Sequence, residues 1–252
     1  MSHDFAALAR SLQESLHLTL APVGIWFTDE APTGVASAPE NAPAGCSFWE
    51  HGAQKTFVTT ARDHEPCAIG TYTHNLAGTP AHEKDRGDAI AIFAQLGYLP
   101  ASELPSIPVL QKRSSHIVYG PLSEATSSPA VVMLFVKASQ SLIISEAVFS
   151  VDGGAPLAMG RPACAVVPQV INQGKAALSL GCCGARAYLD ALTDDVALFA
   201  LPGDKLTAYA ERLATLSAAN KTLSQFHTLR RRDIAAGKRP TILESLDTLQ
   251  RA

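Results

Sequence analysis

Cysteine is the residue type in this chain with the most chemistry to offer. There are five, at Cys46, Cys67, Cys164, Cys182 and Cys183, and four of them adjoin glycine or proline. A cysteine that only fills a core sits among aliphatic residues in a strand or helix. These stand in the strings CSFW, HEPCAIG, GRPACAVVP and LGCCGAR. Glycine and proline mark sharp bends, where a sulfur from one turn can be presented to a point shared with others. An iron–sulfur cluster draws on cysteine thiolates, commonly four. Cys46, Cys67, Cys164 and one of Cys182 or Cys183 meet that count, and their wide spacing calls for a site assembled by the fold. Where a cysteine opens a helix, backbone N–H groups favour the thiolate, and Arg161 and Arg186 are expected to act in the same sense.

Other destinations for the sulfurs stay open. Structural zinc favours short C-x₂-C pairs, which are absent here. Haem or another tetrapyrrole, held non-covalently by a cysteine or histidine, is an alternative, since no C-x-x-C-H attachment exists. Thiols that merely fill space are the plainest reading. A Cys–His nucleophile pair lacks a hydrolase signature to support it. Among the histidines, His51, His64 and His74 lie nearest to cysteines in sequence. His64 is the best placed, because it shares a turn with Cys67.

The elements that must carry these residues are legible from periodicity. Phe5, Leu8, Leu12 and Leu16 recur at helical spacing, with Asp4 as the cap. LAPVGIWFT and KTFVTTA read as strands, and EKDRGDAIAIFAQLGYL as a helix ending near Gly97. Two strand-turn-helix units follow: PAVVMLFV with ASQSLIISEAVF, and DVALFALP with GDKLTAYAERLATLSAA. Their shared apolar rhythm suggests a structural echo, with Gly203-Asp204 read as a helix cap. A short terminal helix is expected over ILESLDTLQRA. The expected architecture is α+β, a mixed β-sheet with helices packed on it and repeated strand-turn-helix units, forming a single domain over 1–252.

Composition sets the bounds. The chain has 252 residues, 47% hydrophobic and 17% charged, enough for a sizeable core and against disorder. A net charge of -3 gives no reason to expect nucleic acid, and Arg230-Arg231-Arg232 reads as a solvated helix face. No run approaches the roughly 18 apolar residues of a membrane span, and no secretory signal is visible. A cytoplasmic protein is therefore expected, in a compartment where thiols stay reduced and an odd set of cysteines argues for metal or catalysis. No phosphate-loop or dinucleotide fingerprint is present. The expected partners are a redox partner or a small molecule, with homo-oligomerisation left open.

In combination, four blocks resemble a known family. They are CSFW from Cys46, the H-x-x-C-x-x-G-x-x-T-H run from His64 to His74, GRPACAVVP from Gly160, and S-L-G-C-x-G-x-R-x-Y from Ser179 to Tyr188. Together they are similar to the hallmark blocks of an uncharacterised bacterial and archaeal family, domain of unknown function 169, whose name supplies no reaction. The resemblance separates the paired cysteines: the matching position is Cys182, and Cys183 falls in a variable slot. It implies Cys46, Cys67, Cys164 and Cys182 as one constellation, with Cys183 a spare thiol. On those four the residues lead to the expectation of a 4Fe-4S centre, with His64, Arg161 and Arg186 beside the cofactor.

Overall fold

The computed structural model describes residues 4–43, 45–154 and 157–251. In chain order the elements are α1 (Phe5–Leu16), β1 (Val23–Thr28), β2 (Ala36–Ser37), α2 (Ser47–Gly52), β3 (Phe57–Thr60), α3 (Ala68–Thr73), α4 (Pro80–Gln95), β4 (His116–Pro121), β5 (Val131–Lys137), α5 (Ala138–Val151), β6 (Ala158–Met159), α6 (Val166–Gln173), β7 (Ala177–Ser179), α7 (Cys183–Tyr188), β8 (Val196–Pro202), α8 (Leu206–Ala235) and α9 (Ile242–Gln250). The fold is α+β. The eight strands form one mixed sheet in the order β2-β3-β4-β1-β5-β8-β7-β6, with parallel pairs only at its two margins.

Alternation along the central strands divides the core in two. On β5, Val131, Met133 and Phe135 point to one face, whereas Val132, Leu134 and Val136 point to the other. Burying each such side chain contributes about 1.5–3 kcal/mol. The second face is covered by α1, α5 and α8, with Phe5, Leu12, Leu16, Ile144, Tyr209 and Leu213 as its main fillings. The amphipathic stripe foreseen on α1 is present, and the Asp4 carboxylate accepts from the Ala7 N–H at 2.9 Å as its cap. On the first face α2, α6 and α7 pack together with residues of all four candidate cysteine segments.

The two strand-turn-helix units are neighbours. β5 and β8 pair antiparallel along their whole length, Val131 opposite Pro202 and Lys137 opposite Val196, and α5 packs on α8. At the end of β8 the chain passes hard against the start of β5: a Cβ on Gly203 would sit 1.8 Å from the Pro129 carbonyl oxygen, so only glycine fits. Asp204 belongs to a 3-10 turn and does not cap α8, whose N-cap is Lys205 with no side-chain bond. The helix itself runs thirty residues, well past the apolar pattern that announced it. Its last turns carry the arginine run, of which Arg230 turns inward to the Pro240 carbonyl and the Ser245 hydroxyl and ties down α9. Among the described residues no helix is long and apolar enough to cross a membrane.

Candidate functional site

Five cysteines from four distant segments line one cavity of about 610 Å³ on the first face of the sheet. Short structures position each of them. Cys46 is the N-cap of α2, and the helix then buries Phe48 and Trp49 under the sheet. Cys67 is the N-cap of α3, and its sulfur accepts from the Gly70 N–H at 3.2 Å. Cys182 plays the same part for α7, accepting from the Ala185 N–H at 3.4 Å. Cys164 lies in a 3-10 turn that runs into α6. The cavity therefore collects sulfurs from two pairs of segments, Cys46 with Cys67 and Cys164 with Cys182–Cys183, drawn from opposite halves of the chain.

Four of the five act on one another. Burial is the first cause that pushes the Cys46 thiol up to about 12, and negative charge on Cys67 and Cys182 adds to it. Cys67 is raised by burial, opposed by the Gly70 N–H and raised again by Cys182. Burial holds Cys164 well above the usual thiol range, with Cys67, Cys182 and Cys46 adding to it and a Thr73 hydrogen bond opposing. Cys183 is different. It is exposed, and its coupling runs to Tyr98, whose phenol is raised by burial and then by Cys183 and Cys182.

At Cys164 the sign runs against the expected thiolate, whereas at Cys67 the N–H at the helix start does favour it and is outweighed by burial. Cys164 is raised because loss of water outweighs the hydrogen bond it accepts. The two arginines are also engaged elsewhere. Arg161 lines the cavity, but its guanidinium pairs with Glu103 at 2.9 Å and donates to the Tyr98 carbonyl. Arg186 donates to the carbonyls of Leu180, Leu192, Thr193 and Val196, so it staples the turns around α7.

His64 lies behind the thiols in a buried aromatic wall that sequence reasoning did not foresee. Its ring is 5.0 Å from Phe48 and 6.1 Å from His74, with Tyr119 and Phe57 completing the group. Thr59 spends its hydroxyl proton on the Ile117 carbonyl, so His64 Nε2 must be the N–H that donates to Thr59 Oγ1 at 3.0 Å. His74 Nδ1 faces the Gly70 carbonyl at 2.8 Å and must likewise carry the proton. Both imidazoles are neutral, with the lone pairs of His64 Nδ1 and His74 Nε2 unpartnered among the described residues. Burial lowers His64 to about 3, helped by His74, and lowers His74 to about 4. The Tyr119 hydroxyl is also unpartnered, and burial followed by charge on Cys46 and Cys164 raises its pKa. The one signal for this wall in the sequence was the nearness of His64 and His74 to Cys67. His51 lies on α2 outside both the cavity lining and the wall.

Among the described residues, no group of three or more His, Cys, Asp or Glu side chains is set to hold a metal ion. The thiols border a space and do not close on a point. A bare zinc ion with Zn–S bonds of about 2.3 Å demands the closer arrangement. No described histidine lines the cavity, so an imidazole ligand for haem is not at hand there.

The profile of an uncharacterised family, domain of unknown function 169 (DUF169, uncharacterised ArCR), matches residues 11–212, and the chain belongs to that family. The matched span takes in all five cysteines and ends within α8. No curated protein and no solved structure matches the chain.

Proposed function

We propose that this member of the domain of unknown function 169 family is a cytoplasmic iron–sulfur protein, its cluster of the 4Fe-4S kind held by Cys46, Cys67, Cys164 and Cys182. One observation carries the reading: four thiols from four separate segments border a single cavity. The donor set is all soft sulfur, which suits iron–sulfur or zinc in preference to a hard cation. The space between the thiols favours the bulkier group. Phe48 and Trp49, both about 1% exposed, would shield it from water on the sheet side. The raised thiols of Cys46, Cys67 and Cys164 imply that loading releases protons there.

Such a group supplies one-electron transfer, or Lewis acidity if one iron lacks a protein ligand. The chain's own contributions are distinct. Amide N–H groups of Gly70 and Ala185 stabilise charge on Cys67 and Cys182. The aromatic wall keeps the local dielectric low. A reducing compartment such as the cytoplasm preserves the free thiols.

Anaerobic reconstitution with iron and sulfide tests this reading. The expected product is brown, holds about four irons per chain and shows broad visible charge-transfer absorbance. Cys46→Ser, Cys67→Ser, Cys164→Ser and Cys182→Ser should each lose or convert the cluster, whereas Cys183→Ser should retain it. Iron and sulfide far below one cluster per chain, in protein that circular dichroism shows to be folded, would sink the proposal.

A further inference from the structure

The cavity offers more than a berth for sulfur. Its buried end carries Cys46 and Cys164, each 8% exposed, whereas Tyr98, Met159 and Tyr188 at its open end are 50%, 58% and 44% exposed. Apolar and aromatic surface left open around a concavity marks a place where an organic molecule is received. The volume lies inside the range of small-molecule sites. α4 forms one wall, turning Asp85, Ala89 and Phe93 onto the cavity at successive four-residue steps. His82 is the one buried residue of that helix, so most of its length faces the open side.

The charge at this end is one-sided. Glu65 and Asp85 both line the cavity, and neither is in an ion pair with a described residue. The one cation of the lining, Arg161, is answered by Glu103. Aromatic faces of the kind supplied by Phe93, Tyr98 and Tyr188 attract cations as well.

We propose that the open end of the cavity binds a small organic cation, an aromatic or otherwise apolar body bearing an ammonium group, with the body against Phe93, Tyr98 and Tyr188 and the charge toward Glu65 and Asp85. The inference rests on the iron–sulfur reading only for the role of this molecule as the substrate presented to the thiol end. The four thiolates of a loaded centre would deepen the same preference for positive charge.

Three probes of one shape separate charge from size: 1-naphthylmethylammonium, naphthalene-1-methanol and 1-naphthoate. Each is titrated by fluorescence or calorimetry into metal-free and reconstituted protein. The ammonium probe should bind about tenfold tighter than the alcohol, with naphthoate weakest. Asp85→Asn, an exposed change on α4, should cut that advantage, and Glu65→Gln added to it should abolish it. Phe93→Ala should weaken all three probes alike. Naphthoate binding as tightly as the ammonium probe, or a cation preference that survives both substitutions, overturns the proposal. The ranking on metal-free protein decides this inference even where iron is not taken up. Iron uptake with no such ranking removes this inference and leaves the iron–sulfur reading standing.

Discussion

Acid should loosen this protein earlier than its carboxylates require. Burial lowers His64 to about 3 and His74 to about 4, from 6.5. A histidine depressed in the native state adds stability above its unfolded pKa, and that stability is lost as pH falls toward the folded value. Between pH 6.5 and 5 the unfolded chain takes up protons at both imidazoles and the native chain at neither. Each contributes a slope approaching about 1.4 kcal/mol per pH unit, so the pair removes about 3 kcal/mol across that window. Against a typical stability of about 5–15 kcal/mol the loss is large. Asp195 and Glu244, held low chiefly by hydrogen bonds from Thr193 and Thr241, titrate below the window. Urea unfolding of metal-free, reduced protein, followed by tryptophan fluorescence from pH 7.5 to 5, measures the slope, and buried Trp49 should report directly on the wall. His74→Asn should halve the slope, whatever it costs at pH 7. A midpoint that does not move over this range, or a slope untouched by His74→Asn, would refute the reasoning.

Three further outcomes follow from other contacts. Asp152 has a side chain 2% exposed and accepts from Lys205 Nζ at 3.0 Å, Tyr209 Oη at 2.8 Å and the Ala176 N–H at 3.0 Å. Asp152→Ala should cost about 3–5 kcal/mol in urea unfolding, and Lys205→Met placed beside it should recover part of the loss. A Cβ on Gly160 would lie 2.6 Å from the Val166 backbone nitrogen, so Gly160→Ala should cost about 1–3 kcal/mol and reduce iron uptake by shifting the turn that carries Cys164. By contrast Lys84→Ala, which breaks an exposed pair with Asp88, should leave both the unfolding midpoint and iron uptake unchanged.

How much of this was legible beforehand depends on whether the determinant was local. The strand at Val131–Lys137 and the helix after it announce themselves, because alternation and helical spacing are written in consecutive residues. The turn placement of the cysteines was equally local, and it pointed to the four segments that the fold brings to one cavity. What no window could show was the company each group would keep. Arg186 looked like a charge for the sulfurs, but the carbonyls that claim it come from the turns at Leu180, Leu192, Thr193 and Val196, which only the folded chain gathers. Cys164 looked activated because its turn leads into a helix, yet burial decides its thiol, and burial is a property of the whole core. Tyr119 lies in a separate segment with no motif of its own, and the sheet brings it against His64, just as α3 brings back His74 from the far end of the block that His64 opens. The length of α8 escaped notice because its outer half lacks an apolar stripe to extend the pattern.

The sheet keeps the cysteine-bearing core on one side and the α1–α5–α8 core on the other. Leu142 and Phe149 stand 60% and 61% exposed on α5, on the opposite side of that partition from the cysteines. A linker attached there could anchor the molecule to an electrode or a bead with its thiol side turned outward. The same division means that this helical back can be rebuilt for a new support with little reason for the front to notice.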